Sequence, residues 1–200
     1  MSTLWLASGS PRRMDLLRQL GLEFRVLVPE VDEGVLPGES AEAYVARMSG
    51  EKSRKARLGL AAGESGVVLS ADTVVVVDDE IFGKPAQRQE ALSMLQRLSG
   101  RAHRVMTAVT VAQGTREISF SVETIVTFRQ LSVKECEAYW LTGEPADKAG
   151  AYGIQGLGAI LVESINGSYS NVVGLPLMET TLALREFDID CLDGLNGKRL

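Results

Sequence analysis

The chain has 200 residues, 45% of them hydrophobic and 24% charged, with a formal net charge of −5. That balance describes an ordinary globular chain able to bury a core, and the acidic excess argues against a protein built to hold nucleic acid or an anionic membrane, which needs a broad basic surface. No apolar run has the length of a membrane span or the basic lead-in of a signal peptide, so a cytoplasmic location is expected, and Cys136 and Cys191 lack the spacing of a disulfide framework or structural zinc site.

Strand-like and helix-like stretches alternate through the first half, the pattern of an α/β protein. Leu4-Trp5-Leu6 reads as a buried strand ending in the small residues Ala7-Ser8-Gly9-Ser10, Pro11 suits a first helical position, and Met14 to Leu20 reads as a helix closed by Gly21. Ser8, Gly9 and Ser10 let backbone N–H groups approach a ligand, the helix N-terminus favours negative charge, and Arg12 and Arg13 supply planar cationic forks for phosphate oxygens. The plainer alternative is a capped helix with its arginines in solvent. Phe24 to Pro29 reads as a second strand, followed by a loop holding Glu30, Asp32 and Glu33. Those carboxylates are either simply solvated or able to hold a hard cation.

Ser40 is the expected N-cap of a helix through Leu58, stopped by Gly59. On it Tyr44, Met48, Lys52 and Ala56 recur every four residues and share a stripe. The Lys52 amine therefore either snorkels to solvent or reaches past the core edge into a cleft, while Lys55 looks solvated. The next strand, Val67 to Val77, carries Asp72 and Thr73 inside an apolar run. A carboxylate there needs a cation, a metal or a hydrogen-bond donor, unless a bulge exposes it. Gly83-Lys84-Pro85 restrains a lysine in a turn, and Gln87 to Leu98 reads as an amphipathic helix closed by Gly100.

Two alternating strands follow, with Val105, Thr107, Val109 and Val111 on one face of the first and Ile118 to Phe128 alternating in the second; Gly114 marks their turn. His103, the lone histidine, falls on the first of these faces and reads as a packed, hydrogen-bonded residue. A helix from Val133 to Leu141 leads to a glycine-rich segment, Gly143 to Gly158, too dense in glycine for regular structure and too apolar for a flexible linker. It suits an ordered binding loop in which Gln155 can present an amide to a base edge. Its G-x-x-G-x-G order is neither the dinucleotide fingerprint nor a P-loop. A strand Ala159 to Glu163, a turn Asn166 to Asn171 and a helix Leu177 to Phe187 complete the expected elements, and Cys191 to Leu200 looks frayed. The expected organisation is one domain over residues 1–190 followed by a tail at 191–200.

Ser8-Gly9-Ser10-Pro11-Arg12-Arg13, Glu33, Glu51-Lys52, Ala71-Asp72-Thr73, Gly83-Lys84-Pro85, Asp147 to Gly156 and Asn166-Gly167-Ser168-Tyr169 together resemble the Maf family of nucleotide pyrophosphatases, from Leu4 to about Phe187. The resemblance implies a strongly bent mixed sheet flanked by helices with a central nucleotide cleft, a homodimer, and hydrolysis of a nucleoside triphosphate to monophosphate and pyrophosphate with Mg²⁺ or Mn²⁺. It implies Asp72 as proton acceptor, with Lys52, Lys84 and Glu33 as further catalytic residues. The chemistry needs cations along the phosphates, which Arg13, Lys52 and Lys84 can supply beside the phosphate-binding Ser8 and Ser10; Glu33 and Asp72 can hold the metal. Arg12, Thr73 and Gln155 match the set of the branch acting on dTTP and UTP, extending to CTP or modified pyrimidine nucleotides. A nucleotide-binding regulator of septum formation and a purine pyrophosphatase acting on ITP, XTP or 7-methyl-GTP are the alternative readings.

Overall fold

The computed structural model describes residues 2–60 and 65–192. In chain order the elements are β1 (Thr3–Leu6), α1 (Pro11–Gln19), β2 (Arg25–Val26), α2 (Ala41–Gly59), β3 (Gly66–Val77), β4 (Glu80–Phe82), α3 (Arg88–Leu98), β5 (Ala102–Gln113), β6 (Arg116–Phe128), α4 (Val133–Leu141), three short 3-10 turns between Glu144 and Leu161, β7 (Val162–Asn166), α5 (Tyr169–Val173) and α6 (Leu177–Arg185). The seven strands form one mixed sheet ordered β2-β1-β3-β5-β6-β7, with β4 paired to β3. The α/β class expected from the sequence is therefore the one observed. Among the described residues no helix is long and apolar enough to cross a membrane.

The chain divides into two compact units. The first takes the described residues of 1–72, 108–121 and 174–200, the second those of 73–107 and 122–173.

In the first unit β1 runs parallel to both neighbours, with Trp5 beside Arg25 and Leu6 beside Leu69. Strands covered on both faces read as unbroken apolar runs, and Leu6, Val67, Val68 and Leu69 are fully buried. Leu17 of α1 and Val45 and Met48 of α2 are also fully buried, each such side chain contributing about 2 kcal/mol of transfer free energy. Pro11 occupies the first turn of α1 as expected, and Ser40 caps α2 by accepting from the Ala43 N–H at 3.2 Å. The second strand is shorter than its Phe24 to Pro29 run: regular pairing covers Arg25 and Val26, the Leu27 N–H still donates to the Leu6 carbonyl, and Pro29 has no N–H to extend the ladder.

In the second unit β3 and β4 form a hairpin pairing Val77 with Glu80, turned by Asp78 and Asp79 at φ of 52° and 62°. Such a turn needs positive φ at both central residues. Helix α3 buries Ala91, Met94, Leu95 and Leu98 and packs on α4, whose Ser132 and Glu135 complete a capping box. Along β6 the even-numbered side chains become progressively buried toward Phe128, which fits the expected alternation. The last strand begins at Val162 rather than Ala159, because Leu157 and Gly158 donate their N–H groups to Glu144 and the chain remains a 3-10 turn through Leu161. The Asn166–Asn171 turn continues into α5, and α6 ends two residues before Phe187. Of the expected tail, residues 193–200 lie outside the described residues.

Candidate active site

In the first unit the chain leaves β1 to form β2 on one side and then crosses to β3 on the other. Such a change of direction opens a crevice at the carboxyl ends of the strands, where open α/β sheets receive ligands. Ser8, Gly9 and Ser10 follow β1 there. The register that sets Leu6 beside Leu69 puts Asp72 level with that turn, three residues further along β3.

Arg13 reaches into this region from the first turn of α1. It is 9% exposed, its Nε donates to the Gly174 carbonyl at 2.8 Å, and a terminal nitrogen donates to Ser8 Oγ at 3.1 Å. Burial pulls its pKa down, the charge of Asp72 pushes it back up, Arg12 lowers it and Glu33 raises it; a guanidinium nevertheless stays protonated in proteins. Ser8 Oγ also accepts from the Ser10 N–H at 3.3 Å, whereas the Ser10 side chain makes no capping hydrogen bond to α1. The plainer alternative, an arginine pair lying in solvent, thus fails for Arg13, which is held in place by its own fold.

Lys52 takes the second of its two alternatives. Its ammonium donates to Asp72 Oδ1 at 2.7 Å and lies 2.8 Å from Glu33 Oε1. The Lys52 and Asp72 side chains are only 13% and 12% exposed, whereas Glu33 is 56% exposed, so the pair is buried against the strand and the glutamate closes it from solvent. The carboxylate inside β3 finds the cation that its burial demands.

The loop carrying Glu33 is gripped by α2. Tyr44 donates its hydroxyl to the Glu33 carbonyl at 3.0 Å, and its pKa is pushed up to about 12 by burial and by the charges of Asp72 and Glu33, so it remains a donor. Arg47 forks onto both oxygens of Glu39 at 2.6 and 2.7 Å and donates to the Gly34 carbonyl at 2.8 Å. That hydrogen bonding holds the Glu39 carboxyl down at about 2. Among the described residues the three loop acids form no group that could hold a metal by itself: Asp32 turns back onto the Gly34 N–H, and the backbone carbonyl of Glu30 accepts from Lys55, whose expected place was simply solvent. Tyr44, Arg47 and Glu39 are not legible in the sequence as site-shaping residues, since Tyr44 counts as part of an apolar stripe and the other two as surface charges.

The second unit holds the remaining candidates. Thr107 Oγ1 donates to the buried Asn171 carbonyl at 3.1 Å, so across its 2.9 Å contact with Thr73 Oγ1 it acts as acceptor and Thr73 as donor. Lys84 is exposed, and the preceding Gly83 carbonyl accepts from the Gly150 N–H at 3.0 Å, joining its turn to the glycine-rich segment. Gly150 has φ of 69°, and a Cβ there would meet Val75 at 2.9 Å, so no other residue fits. Gln155 is exposed at the crest of the same segment. His103 is packed as expected: its Nε2 lies 2.8 Å from the Tyr152 hydroxyl, and its ring meets Phe128 and Tyr152 edge-on. Burial pushes its pKa down to about 4.

A switch-point crevice with a buried guanidinium and an ammonium seated between two carboxylates defines an α/β protein equipped to handle anionic, phosphate-like ligands. The chain matches the Maf-like protein family over residues 3–187 and belongs to that family. A dTTP/UTP pyrophosphatase of Symbiobacterium thermophilum is 50% identical over 197 residues, covering 98% of this chain and 100% of that protein. Proteins of the same name from Vibrio vulnificus and Pseudoalteromonas atlantica are 51% and 48% identical, over 94% and 93% of this chain and 100% and 97% of their own. The solved structure of the Staphylococcus aureus Ham1 protein aligns at a TM-score of 0.43 and 12% identity over 63% of this chain and 71% of its own, too distant to bear on the site.

Proposed function

We propose that the chain is a nucleoside triphosphate pyrophosphatase that hydrolyses dTTP and UTP to the monophosphate and pyrophosphate, as the names of its relatives suggest. The observation that carries this reading is the Lys52 ammonium seated between Asp72 and Glu33 in the unit where Arg13 is buried. Attack of water at the α-phosphorus needs a carboxylate to take the water's proton and fixed positive charge for the phosphate oxygens. Asp72 is a carboxylate enclosed beside Lys52, its side chain 12% exposed, and it is the base in this reading. Lys52 orients it and neutralises charge beside it. Arg13 with Ser8 and Ser10 binds phosphate oxygens, and Lys84 adds a further cation. Arg12, Thr73 and Gln155 select the base.

The donor set fits a divalent metal. Among the described residues no group of three or more His, Cys, Asp or Glu could form a protein cage, but Mg²⁺ is ordinarily held by one or two carboxylates with water and substrate phosphate completing its shell. Glu33 and Asp72, which share one ammonium here, are the residues that would hold it. When bound, such an ion offsets negative charge on the phosphate oxygens. Were Asp72 to ligate such an ion through one oxygen, only its other oxygen would be available to take a proton. A cytoplasmic location and a homodimer belong to the same proposal, the first expected from the sequence pattern and the second from the family resemblance.

The test is pyrophosphate release from dTTP, UTP, CTP, GTP, 7-methyl-GTP and ITP with Mg²⁺ or Mn²⁺, beside an EDTA control. Metal-dependent turnover led by dTTP and UTP supports the reading. Turnover led by ITP or 7-methyl-GTP replaces the substrate assignment, and binding without multiple turnover makes the chain a nucleotide sensor.

A further inference from the structure

Gln155, the residue placed against the base in the proposed function, sits on a stretch of backbone that forms neither helix nor strand. What holds it is a pair of side chains, one from the preceding helix and one from the start of the segment. Glu144 Oε2 accepts from the Leu157 N–H at 2.8 Å, and Oε1 accepts both from the Gly158 N–H at 2.9 Å and from the Tyr139 hydroxyl at 2.7 Å. The Tyr139 oxygen in turn accepts from the Gly153 N–H at 3.0 Å. The loop is therefore pinned on both flanks of Gln155 by one hydrogen-bonded pair. Tyr139 comes from α4 and is 5% exposed, so the anchor is buried in the fold.

The glycines show how closely the loop is drawn onto this pair. A Cβ on Gly156 would meet Glu144 Oε2 at 2.2 Å, and one on Gly158 would meet the Tyr139 hydroxyl at 2.5 Å. Lys148 lies across Gly153, where a Cβ would meet its Cε at 2.5 Å, and its ammonium is tied to the Glu144 carbonyl and to Asp147, each at 2.7 Å. The glycine-rich composition is thus explained as clearance for the clamp, and Gln155 is the side chain left projecting from it.

We propose that Glu144, with Tyr139, is a positioning residue for base selection: it fixes the backbone on either side of Gln155 so that the amide is presented in one orientation to the pyrimidine edge. The proposal rests on the pyrophosphatase reading and adds to it a residue that does not touch substrate. A recognition amide displaced by about 1 Å loses much of its contribution, because hydrogen-bond geometry must be held closely to discriminate.

The test compares wild type with Glu144→Ala, Glu144→Gln and Tyr139→Phe, using UTP as substrate and inorganic tripolyphosphate, which has no base, as competitive inhibitor. In Glu144→Ala the KM for UTP rises about tenfold while kcat and the tripolyphosphate inhibition constant stay near wild type, since only base presentation is lost. Glu144→Gln, which keeps one acceptor oxygen, falls between the two. An unchanged KM, or KM and inhibition constant rising together, overturns the proposal. Should Glu144→Ala not fold, Tyr139→Phe is judged by the same split. Amide exchange at Gly153, Leu157 and Gly158 needs no substrate and separates the two readings. Unchanged exchange in the variants defeats the clamp even if UTP is turned over, whereas a wild type inactive on every pyrimidine triphosphate but with faster exchange in the variants defeats the substrate reading alone.

Discussion

Stability should rise with pH between about 4 and 6.5; lowered carboxyls such as Glu39 share the lower part of that slope, and a single histidine should dominate its upper part, above about pH 5.5. His103 is the only histidine in the chain, and its imidazole is held neutral at a pKa of about 4 by burial beside Phe128 and Tyr152, against an ordinary value of 6.5. The unfolded chain therefore takes up a proton near 6.5 that the folded chain refuses until about 4. Across that window the unfolded state binds more protons, so the free energy of unfolding falls as pH falls. At 1.36 kcal/mol per pH unit the gap amounts to about 3 kcal/mol, fully present above 6.5 and lost by about pH 4. Protonation would place N–H groups on both ring nitrogens, and Nδ1 is buried without a hydrogen-bond partner among the described residues. Urea unfolding from pH 4.5 to 7.5 measures the effect directly, with His103→Phe as control. The phenyl ring can keep both edge-on contacts while orphaning the Tyr152 hydroxyl, so the variant loses about 1–3 kcal/mol at pH 7 but its slope flattens. A variant as pH-dependent as wild type would refute the assignment.

Lys52→Met should abolish turnover and also destabilise, by about 3 kcal/mol, because it leaves Asp72 without its buried partner; kinetics together with urea unfolding at pH 7.5 check both. Arg13→Lys should weaken competitive inhibition by tripolyphosphate about tenfold or more, since an ammonium cannot hold Gly174 and Ser8 and still present a fork to phosphate. Gly150→Ala should cost about 1–3 kcal/mol from the positive φ and the overlap with Val75, read as a lowered denaturation midpoint with the m-value unchanged.

The parts of the fold that the sequence announces are those whose signals are local. Leu4-Trp5-Leu6 and Val67-Val68-Leu69 are unbroken apolar runs and form the doubly covered parallel strands; Ser40 and Pro11 each mark a helix start where one is found. The β3–β4 hairpin is not legible because Asp78-Asp79 turns it without the Asn-Gly or Asp-Gly signal. In the site, Asp72 stands out by its cost of burial and Lys52 by its stripe, yet their pairing depends on β3 and α2 meeting in space, which spacing does not encode. Glu144 is hidden for the same reason. It lies nine to fourteen residues from the amides it and Tyr139 collect, and nothing in Gly143-Glu144-Pro145 distinguishes it from a solvated turn acid.

In the proposed reaction water attacks the α-phosphorus of a pyrimidine nucleoside triphosphate and Asp72 takes its proton. Hydrolysis of UTP in ¹⁸O-enriched water with Mg²⁺, with wild type and Asp72→Asn side by side and the products weighed by mass spectrometry, distinguishes that reaction from its rivals. UMP carrying one heavy oxygen, unlabelled pyrophosphate, and a folded Asp72→Asn protein without measurable turnover are expected. Label in pyrophosphate, release of UDP and phosphate, or near-normal turnover by Asp72→Asn would contradict it.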